Sequence, residues 1–417
     1  YYLCSVADSV FLNPQGSVSL VGLASQGLFF TGLAEKIGVE HYIFKVGTYK
    51  SAVEPFFLKK FSDANREQLT SFLGSVWGNL TTAIEKSRNI SSDELDRYLN
   101  EGLAMGQASN AVDYKLADGL RYRYEVENCV KEMAGQDVKG KLKTAGVDKV
   151  ASIKVKEKDS GNKIAVLYAE GEIRDDDSSS PFSADEQVIS EEMANKLRKL
   201  KDDDDVKAVV FRVNSPGGSA YISEQIWKEV VELKAKKPIV VSMGNYAASG
   251  GYYISCAANK IVAERTTLTG SIGVFGVVRN FTGTFDKVGV TTDIVKTNTF
   301  ADLGDISRPM REDEKALIQR GVEQTYDLFL TRCADGRGMT KAEIDSIGQG
   351  RVWTGEQALE RGLVDQLGGM DDAIKEAATL AELTDYSVIV ADGPKDFFTK
   401  FMEKQMDEAK VSIAKSV

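Results

Sequence analysis

The chain has 417 residues, of which 42% are hydrophobic and 27% charged, and its formal net charge is −10. This length and composition allow two substantial cores, so we expect two domains. The acidic balance argues against a nucleic-acid binder, which would need a basic surface to neutralise phosphates. No run of about 18 or more apolar residues predicts a membrane-spanning helix.

The cysteines indicate neither a metal site nor a disulfide framework. There are four, and none is spaced as C-x-x-C from another: Cys4, Cys129, Cys256 and Cys333. Dense or closely paired cysteines would be expected of a zinc site or a small secreted scaffold. We therefore expect no metal and no cofactor.

One segment of the sequence occurs twice. Residues 36–39 (Lys-Ile-Gly-Val) recur at residues 287–290 (Lys-Val-Gly-Val), 251 positions later. Two positions differ in chemistry at this offset: Lys50 falls on Ala301, and Leu20 falls on Ser271. Each copy lacks a side chain that the other has, which predicts a site that draws on both copies.

The first copy looks shortened at its start. It opens at Tyr1 and Tyr2, where the second copy has Tyr252 and Tyr253. What precedes Tyr252 in the second copy has no counterpart, and the chain has no initiator methionine. We expect a fragment, from which an upstream anchor or targeting segment would be missing.

Taken in chain order, the first copy shows a β-rich stretch and then a helical one, and the second copy alternates strands with helices. Alternation of this kind implies βαβ units and a mainly parallel sheet. The predicted strands are residues 41–46, 163–168, 206–213 and 238–243, and the predicted helices are residues 65–84, 189–200, 223–233 and 312–330.

Two further segments carry expectations of their own. Residues 175–183 are rich in Ser and Asp and predict a flexible polar loop beside a site. The C-terminal stretch has aromatic residues and methionines at helical spacing, among them Phe397, Phe401 and Met402. Such a stripe is more typical of a core or a subunit contact than of a membrane anchor.

Two glycine-rich turns follow neighbouring predicted strands. In residues 214–219 (Asn-Ser-Pro-Gly-Gly-Ser), the glycines let a backbone N–H approach a ligand oxygen. Residues 247–253 place Ser249 among small residues, before a predicted helix that runs to Ala257 and at its positive end. Taken singly, Ser249 is better explained as a helix cap and Pro-Gly-Gly as a turn. Together, one strand apart, they indicate a nucleophile with an oxyanion hole.

A nucleophilic serine needs a base, and lysine is the better candidate here. The single histidine, His41, lies at the start of a β-rich stretch and has no clear partner for a triad. Lys50 is followed by the apolar, aromatic residues 51–57, where desolvation would lower its pKa. Surface solvation is the ordinary explanation of a lysine, but its absence from the duplicate position favours a catalytic role.

Several motifs together resemble the signal peptide peptidase A family in its long, duplicated bacterial form, also called protease IV. The resemblance extends over nearly the whole chain. The motifs are residues 49–56 (Tyr-Lys-Ser-Ala-Val-Glu-Pro-Phe), 212–219 (Arg-Val-Asn-Ser-Pro-Gly-Gly-Ser), 247–252 (Ala-Ala-Ser-Gly-Gly-Tyr), 268–276 (Leu-Thr-Gly-Ser-Ile-Gly-Val-Phe-Gly), 350–355 (Gly-Arg-Val-Trp-Thr-Gly) and 362–365 (Gly-Leu-Val-Asp).

The resemblance implies an α/β protein with tandem ClpP/crotonase-like domains, the first of them truncated at its N-terminus. We expect the first repeat, carrying the base, at residues 1–145 and a linker at 146–162. The second repeat, carrying the nucleophile, is expected at 163–385, and a C-terminal helical tail at 386–417.

The resemblance also implies a Ser-Lys dyad. Ser249 would be the nucleophile and Lys50 the general base, Ser271 would orient the lysine amine, and the backbone N–H groups of Gly218 and Ser249 would form the oxyanion hole. It further implies a serine endopeptidase that degrades cleaved signal peptides and other apolar extended peptides. That enzyme would be a homotetramer at the bacterial inner membrane, facing the periplasm.

Two alternatives stay open. A crotonase-like acyl-CoA enzyme would also build an oxyanion hole from two backbone N–H groups, but it would not need Ser249 and Lys50 together. A non-catalytic assembly protein of the same fold would need neither residue.

Overall fold

The computed structural model describes residues 1–151, 153, 160–175 and 188–391. The predicted polar loop at 175–183 lies outside the described residues except for Asp175. The predicted C-terminal helical tail lies outside them from residue 392 onward. Its first part differs from the prediction, because Ser387–Ala391 form a strand that pairs with the main sheet.

The chain alternates strands and helices through most of the described residues. The strands are β1 (Phe11–Leu12), β2 (Glu40–Val46), β3 (Gly119–Leu120), β4 (Lys163–Glu170), β5 (Glu172–Ile173), β6 (Val188–Ile189), β7 (Val206–Ser215), β8 (Ile239–Ala248), β9 (Lys260–Ala263), β10 (Leu268–Gly270), β11 (Val274–Asn280), β12 (Val352–Thr354), β13 (Gln366–Leu367) and β14 (Ser387–Ala391). The helices are α1 (Thr31–Ile37), α2 (Asp63–Arg88), α3 (Ser92–Asn100), α4 (Ala108–Asp113), α5 (Arg123–Met133), α6 (Val147–Ala151), α7 (Glu192–Asp202), α8 (Ala220–Lys234), α9 (Gly250–Tyr253), α10 (Thr282–Val288), α11 (Glu312–Arg337), α12 (Lys341–Ile347), α13 (Gly355–Glu360) and α14 (Met370–Leu380).

Each strand and helix predicted within the described residues is present, with shifted bounds. The helix predicted at 189–200 begins only at Glu192, because Val188–Ile189 pair with β5 as a short parallel strand. The strand predicted at 238–243 continues to Ala248, which brings its end directly to Ser249. None of the helices in the described residues is long and apolar enough to cross a membrane.

The main sheet of the described residues has eight strands and is largely parallel, as predicted. β14, β4, β7 and β8 lie side by side in parallel. β8 is also parallel to β9 and β10, β13 is parallel to β9, and antiparallel β12 lies at the edge beside β10. The central strands are buried along most of their length, as expected of a parallel sheet that is covered on both faces.

Helices cover the two faces of this sheet and form two cores. On one face, Leu197 of α7, Ile226 of α8 and Phe329 of α11 belong to the larger cluster of buried side chains. On the other face, small residues of α14 such as Ala373 and Ala377 lie in a second cluster with strand residues. The carboxyl ends of β7 and β8 carry the two glycine-rich turns, so the sheet places both turns at one edge.

The segment that carries Lys50 packs with the second repeat. The described residues form two compact units: one consists of residues 34–53 together with residues 160–391, and the other of residues 1–33 together with residues 54–151. The predicted boundary at residue 145 placed residues 34–53 in the first repeat. The difference arises because β2 pairs with β11 in an antiparallel ladder along its whole length, from Glu40 opposite Asn280 to Val46 opposite Val274.

The unit formed by residues 1–33 and 54–151 is mostly helical. It holds α2 to α5 together with the short parallel pair of β1 and β3. Its core contains Ile84, Leu95, Tyr98 and Leu116, each at most 1% exposed.

Matching elements in the two copies support the predicted duplication. α1 and α10 each have seven residues and lie 251 positions apart, and each is followed by a left-handed glycine, Gly38 or Gly289. β1 pairs in parallel with β3, as β9 does with β13. α2 and α11 are both 26 residues long.

Candidate active site

Ser249 lies on a sharp turn between a strand and a helix. β8 ends at Ala248, α9 begins at Gly250, and Ser249 between them has φ 55° and ψ −119°. This backbone conformation is costly for a residue with a side chain, and such residues cluster at functional sites. The next residue must be small, because a Cβ at Gly250 would lie 2.7 Å from Ser223 Oγ.

The Lys50 side chain reaches this turn from the segment that follows β2. Lys50 is 4% exposed. Its Nζ lies 3.0 Å from Ser249 Oγ and also 3.0 Å from both Oγ and the carbonyl oxygen of Ser271. The structure thus brings together three of the residues that the sequence assigned to the site.

The surroundings of Lys50 favour an amine that loses its proton easily. Burial lowers the pKa of Lys50 from 10.5 to about 7. A neutral amine has two N–H groups and one lone pair. It can donate to the two oxygens of Ser271 while its lone pair accepts from the Ser249 hydroxyl, so its three contacts match the form that can act as a base.

Ser271 is held by its backbone at the end of β10. It has a left-handed φ of 50°, and it follows Gly270, which has a φ of 77°. Its N–H donates to the carbonyl of Arg351 at 2.7 Å. With the backbone fixed in this way, both the carbonyl and the hydroxyl of Ser271 point at Lys50 Nζ.

The glycine-rich turn after β7 lies against the nucleophile turn. Gly217 and Gly218 have φ values of 102° and 149°. A Cβ on Gly217 would lie 2.6 Å from the nitrogen of Gly250. The turn is fixed from its other side by Ile173, whose N–H donates to Gly217 O at 2.9 Å and whose carbonyl accepts from the Ser219 N–H at 2.8 Å.

One predicted oxyanion donor does not fit the structure. The N–H of Ser249 donates to the carbonyl of Gly270 at 2.9 Å, so it is already paired within the fold. Gly250 is the better candidate, because it is the first residue of α9 and its N–H has no acceptor within the helix. Gly218 lines the cavity beside Ser249, and its N–H stays a predicted donor.

A cavity of about 920 Å³ opens next to Ser249 and Lys50. Its walls include residues 216–219 and 273–275, and the rings of Tyr253 and Phe329. Those two rings lie 4.7 Å apart, centroid to centroid. Aromatic walls with a few polar groups beside them are typical of a binding site.

A charged cluster behind the cavity was missed by sequence reasoning. The Tyr253 hydroxyl donates to Glu224 Oε2 at 2.6 Å, and Arg332 donates to the same carboxylate at 2.5 Å. The Arg332 guanidinium also lies over the Trp227 ring, 3.8 Å from its centroid. These contacts join α8, α9 and α11. No sequence motif predicts them, because the residues are far apart along the chain.

His41 lies away from this chemistry. It is on β2 opposite Arg279, and burial together with that arginine lowers its pKa. It does not line the cavity. Within residues 1–151, 160–175 and 188–391, no three His, Cys, Asp or Glu side chains are grouped so that they could hold a metal ion.

The sequence matches the profiles of two protein families. Peptidase family S49 matches residues 1–137 and 231–384, which together make up more than half of the chain. The Clp protease family matches residues 182–272, the stretch that contains both glycine-rich turns and Ser249.

Curated relatives match over most of the chain. Protease 4 of Salmonella typhi is 40% identical over 390 residues, which cover 92% of this chain and 62% of the relative. Protease 4 of Haemophilus influenzae is 37% identical, with 91% and 62% covered. The putative signal peptide peptidase SppA of Enterococcus faecium is 38% identical over 245 residues, which cover 58% of this chain and 71% of that protein. The chain thus spans 62% of the length of the first two relatives.

Proposed function

The chain belongs to peptidase family S49, and from that membership together with the site geometry we propose that it is a serine endopeptidase with a Ser-Lys dyad. The observation that carries the proposal is the 3.0 Å contact between Ser249 Oγ and the Nζ of buried Lys50. A buried lysine with a pKa near 7 has the properties that a general base needs at neutral pH.

The reaction proceeds by acyl transfer through Ser249. Neutral Lys50 takes the proton from Ser249 Oγ as that oxygen attacks the scissile carbonyl. The N–H groups of Gly218 and Gly250 stabilise the resulting oxyanion, and Lys50 returns the proton to the leaving amine. Water then attacks the acyl-enzyme with the help of the same lysine. Ser271 holds the amine in the orientation that both transfers require.

The substrates proposed are cleaved signal peptides and other apolar, extended peptides. The aromatic rings of Tyr253 and Phe329 give the cavity apolar surface for such side chains. An extended peptide would lie along the backbone of residues 216–219, where glycines leave room for main-chain hydrogen bonds. The name of the Enterococcus faecium relative, putative signal peptide peptidase, agrees with this substrate class.

We further propose a homotetramer, and the contact between the two copies supports a ring. Thr284 Oγ1, near the start of α10, donates to the carbonyl of Ile37 at the end of α1, at 2.8 Å. In the adjoining ladder, β2 pairs with β11, which is not its counterpart at the 251-residue offset, so the contact between the copies is head-to-tail, and its repetition between chains would close a ring. Residues 23–29 and 291–297 occupy the positions of β11 and β2 in the other copy and form no strand here. They are the segments that would pair between chains.

The proposed location is the bacterial inner membrane, with the active site facing the periplasm. This part of the proposal rests on the resemblance of the motifs alone. A crotonase-like acyl-CoA enzyme is the weaker alternative, because it gives no role to the contact between Lys50 and Ser249. A non-catalytic protein of this fold would likewise leave the lowered pKa of Lys50 without a role.

The test measures cleavage of an apolar, signal-peptide-like peptide by the wild-type protein and by Ser249→Ala and Lys50→Ala. Lys45→Ala serves as the matched control, because Lys45 lies on β2, which leads into the Lys50 segment, and does not line the cavity. We expect both dyad variants to lose activity and the control to keep it. Cleavage at the wild-type rate by either dyad variant would overturn the dyad. Turnover of an acyl-CoA thioester that does not depend on Lys50 would favour the alternative enzyme.

A further inference from the structure

A segment of three consecutive residues, Gln349, Gly350 and Arg351, connects the parts of the chain that carry Lys50 and Ser271. The N–H of Tyr49 donates to the carbonyl of Gln349 at 2.8 Å. The N–H of Gly350 donates to the carbonyl of Ile272 at 2.7 Å, and the N–H of Ser271 donates to the carbonyl of Arg351 at 2.7 Å. Each of the three residues therefore makes a main-chain hydrogen bond next to Lys50 or next to Ser271.

Glycines allow these backbones to meet around Lys50. A Cβ on Gly350, which has a φ of +76°, would lie 2.6 Å from both the Cβ and the nitrogen of Lys50. A Cβ on Gly47 would lie 2.4 Å from the carbonyl carbon of Gln349, and one on Gly273 would lie 2.8 Å from Gly350 Cα. Contacts this short leave no room for side chains, so the backbone of the three-residue segment lies directly against the lysine.

The side chains of the segment attach it to neighbouring elements of the unit that contains residues 34–53 and 160–391. The Arg351 guanidinium lies 4.6 Å from the ring centroid of Tyr49 and 4.4 Å from that of Trp353. Gln349 Nε2 donates to Asp345 Oδ1 at 2.5 Å. The segment is thus attached to α12 and β12 on one side and to the residue before Lys50 on the other.

We propose that residues 349–351 position the catalytic groups, holding Lys50 and Ser271 at the distance from Ser249 at which the proton is transferred. The inference rests on the proposed Ser-Lys function and adds residues to it that do not touch the reacting atoms. They act through Lys50 and Ser271, and they are positioning residues in this sense. The Gly-Arg-Val-Trp motif at residues 350–353 thereby acquires a role in the reaction.

The sharpest test compares Gly350→Ala with Gly289→Ala. Both glycines have a left-handed φ, +76° and +73°, so both substitutions impose the same backbone strain. Only at Gly350 does the new methyl group meet Lys50, since a Cβ at Gly289 would meet nothing within 4 Å. We expect Gly350→Ala to lower kcat at least tenfold with KM within twofold of wild type, and Gly289→Ala to leave both within twofold.

The pH profile separates positioning from a general loss of structure. If the new methyl group displaces Lys50, its amine becomes more solvated, and the apparent pKa of the kcat profile moves up from about 7 towards the ordinary value for lysine. Loss of folded protein alone would lower kcat at every pH without moving this midpoint. An unmoved midpoint in a folded Gly350→Ala variant would contradict the proposal.

A second pair covers the case in which Gly350→Ala does not fold. Arg351 and Arg361 both lie over the Trp353 ring, but of the two only Arg351 also lies over Tyr49. Arg351→Leu should lower kcat and shift the midpoint upward, whereas Arg361→Leu should do neither. Wild-type kcat and an unmoved midpoint in Arg351→Leu would overturn the inference. Lys50→Ala, assayed in parallel, shows which proposal has failed. If Lys50→Ala is inactive, only the positioning role of residues 349–351 is wrong. If Lys50→Ala is active, the Ser-Lys dyad is wrong.

Discussion

Lys50 Nζ and Ser249 Oγ lie 3.0 Å apart although 199 positions separate the two residues in the sequence. The ladder between β2 and β11 makes this approach possible, because it fixes the segment that follows Val46 beside the segment that precedes Val274. Ser271, three residues before β11, meets the same amine. The proposed chemistry therefore depends on one antiparallel strand pair as much as on the dyad itself.

Replacing the nucleophile should abolish peptide cleavage without weakening the fold. Ser249→Ala removes the attacking oxygen, so kcat should fall by about 10³-fold or more, as in other serine hydrolases. Ser92→Ala, at an exposed position on α3, should leave kcat unchanged. The measurements are steady-state cleavage and thermal unfolding. Residual cleavage above one tenth of the wild-type rate would contradict the assignment of Ser249.

The rate of cleavage should rise with pH and then level off. Only neutral Lys50 can accept a proton, and its pKa is lowered to about 7 by burial. We therefore expect kcat to increase tenfold per pH unit well below 7, with a midpoint near 7. A pH profile of kcat between 5.5 and 9 tests this. A rate that still rises tenfold per pH unit at pH 9 would mean that the pKa of the base is not lowered, and a rate that is flat over this range would mean that Lys50 is not the base.

Replacing the base should stabilise the protein at neutral pH while it abolishes cleavage. A lysine whose pKa is lower in the folded state than in the unfolded state opposes folding, and this cost is fully present below pH 7. Between pH 7 and 10.5 the unfolded state binds more protons, so the cost declines, and above about 10.5 it is gone. Lys50→Met should raise the free energy of unfolding by on the order of 4 kcal/mol at pH 7.

Denaturant unfolding of both proteins at pH 7 and at pH 10.5 measures this difference. Thermal or chemical unfolding of Lys45→Met provides the control, because Lys45 lies on β2, just before the Lys50 segment, and does not line the cavity. If the advantage of Lys50→Met were the same at both pH values, the pKa of Lys50 would not be lowered in the folded protein.

Removing the Ser271 hydroxyl should slow the chemical step and leave substrate binding unchanged. Ser271→Ala deletes one of the two Ser271 oxygens that contact Lys50 Nζ, while the carbonyl contact stays. We expect kcat to fall about 10- to 100-fold, with KM within twofold, because the amine loses part of its orientation. Restoration of most of the rate by Ser271→Thr, which keeps a hydroxyl, would support the orienting role. An unchanged kcat in Ser271→Ala would contradict the orienting role of the Ser271 hydroxyl.

The sheet and its two glycine-rich turns could be predicted from the sequence because their signals are local. β7 and β8 are rich in β-branched and other apolar residues, and each leads directly into its turn. The unit to which residues 34–53 belong could not be predicted. These residues join the second unit through the ladder between β2 and β11, which pairs Glu40 with Asn280, 240 positions away. The apolar pattern of a strand does not show which distant strand it pairs with.

The oxyanion donors show a second limit of sequence reasoning. The sequence indicated that the donors would lie near Ser249, but which N–H is available depends on the backbone angles of Ser249 itself. At a φ of 55°, the Ser249 N–H is bonded to the carbonyl of Gly270, and Gly250 becomes the candidate donor. Nothing in the residue types of this turn distinguishes these two possibilities.

The most direct measurement is the pH dependence of Ser249 acylation, followed with a p-nitrophenyl ester of an apolar peptide and located by mass spectrometry. The proposed dyad predicts that the acyl group is found on Ser249, that the rate of its transfer rises with a midpoint near pH 7, and that Lys50→Met does not acylate. Acylation of another residue, or a rate on Ser249 that Lys50→Met leaves unchanged, would contradict it.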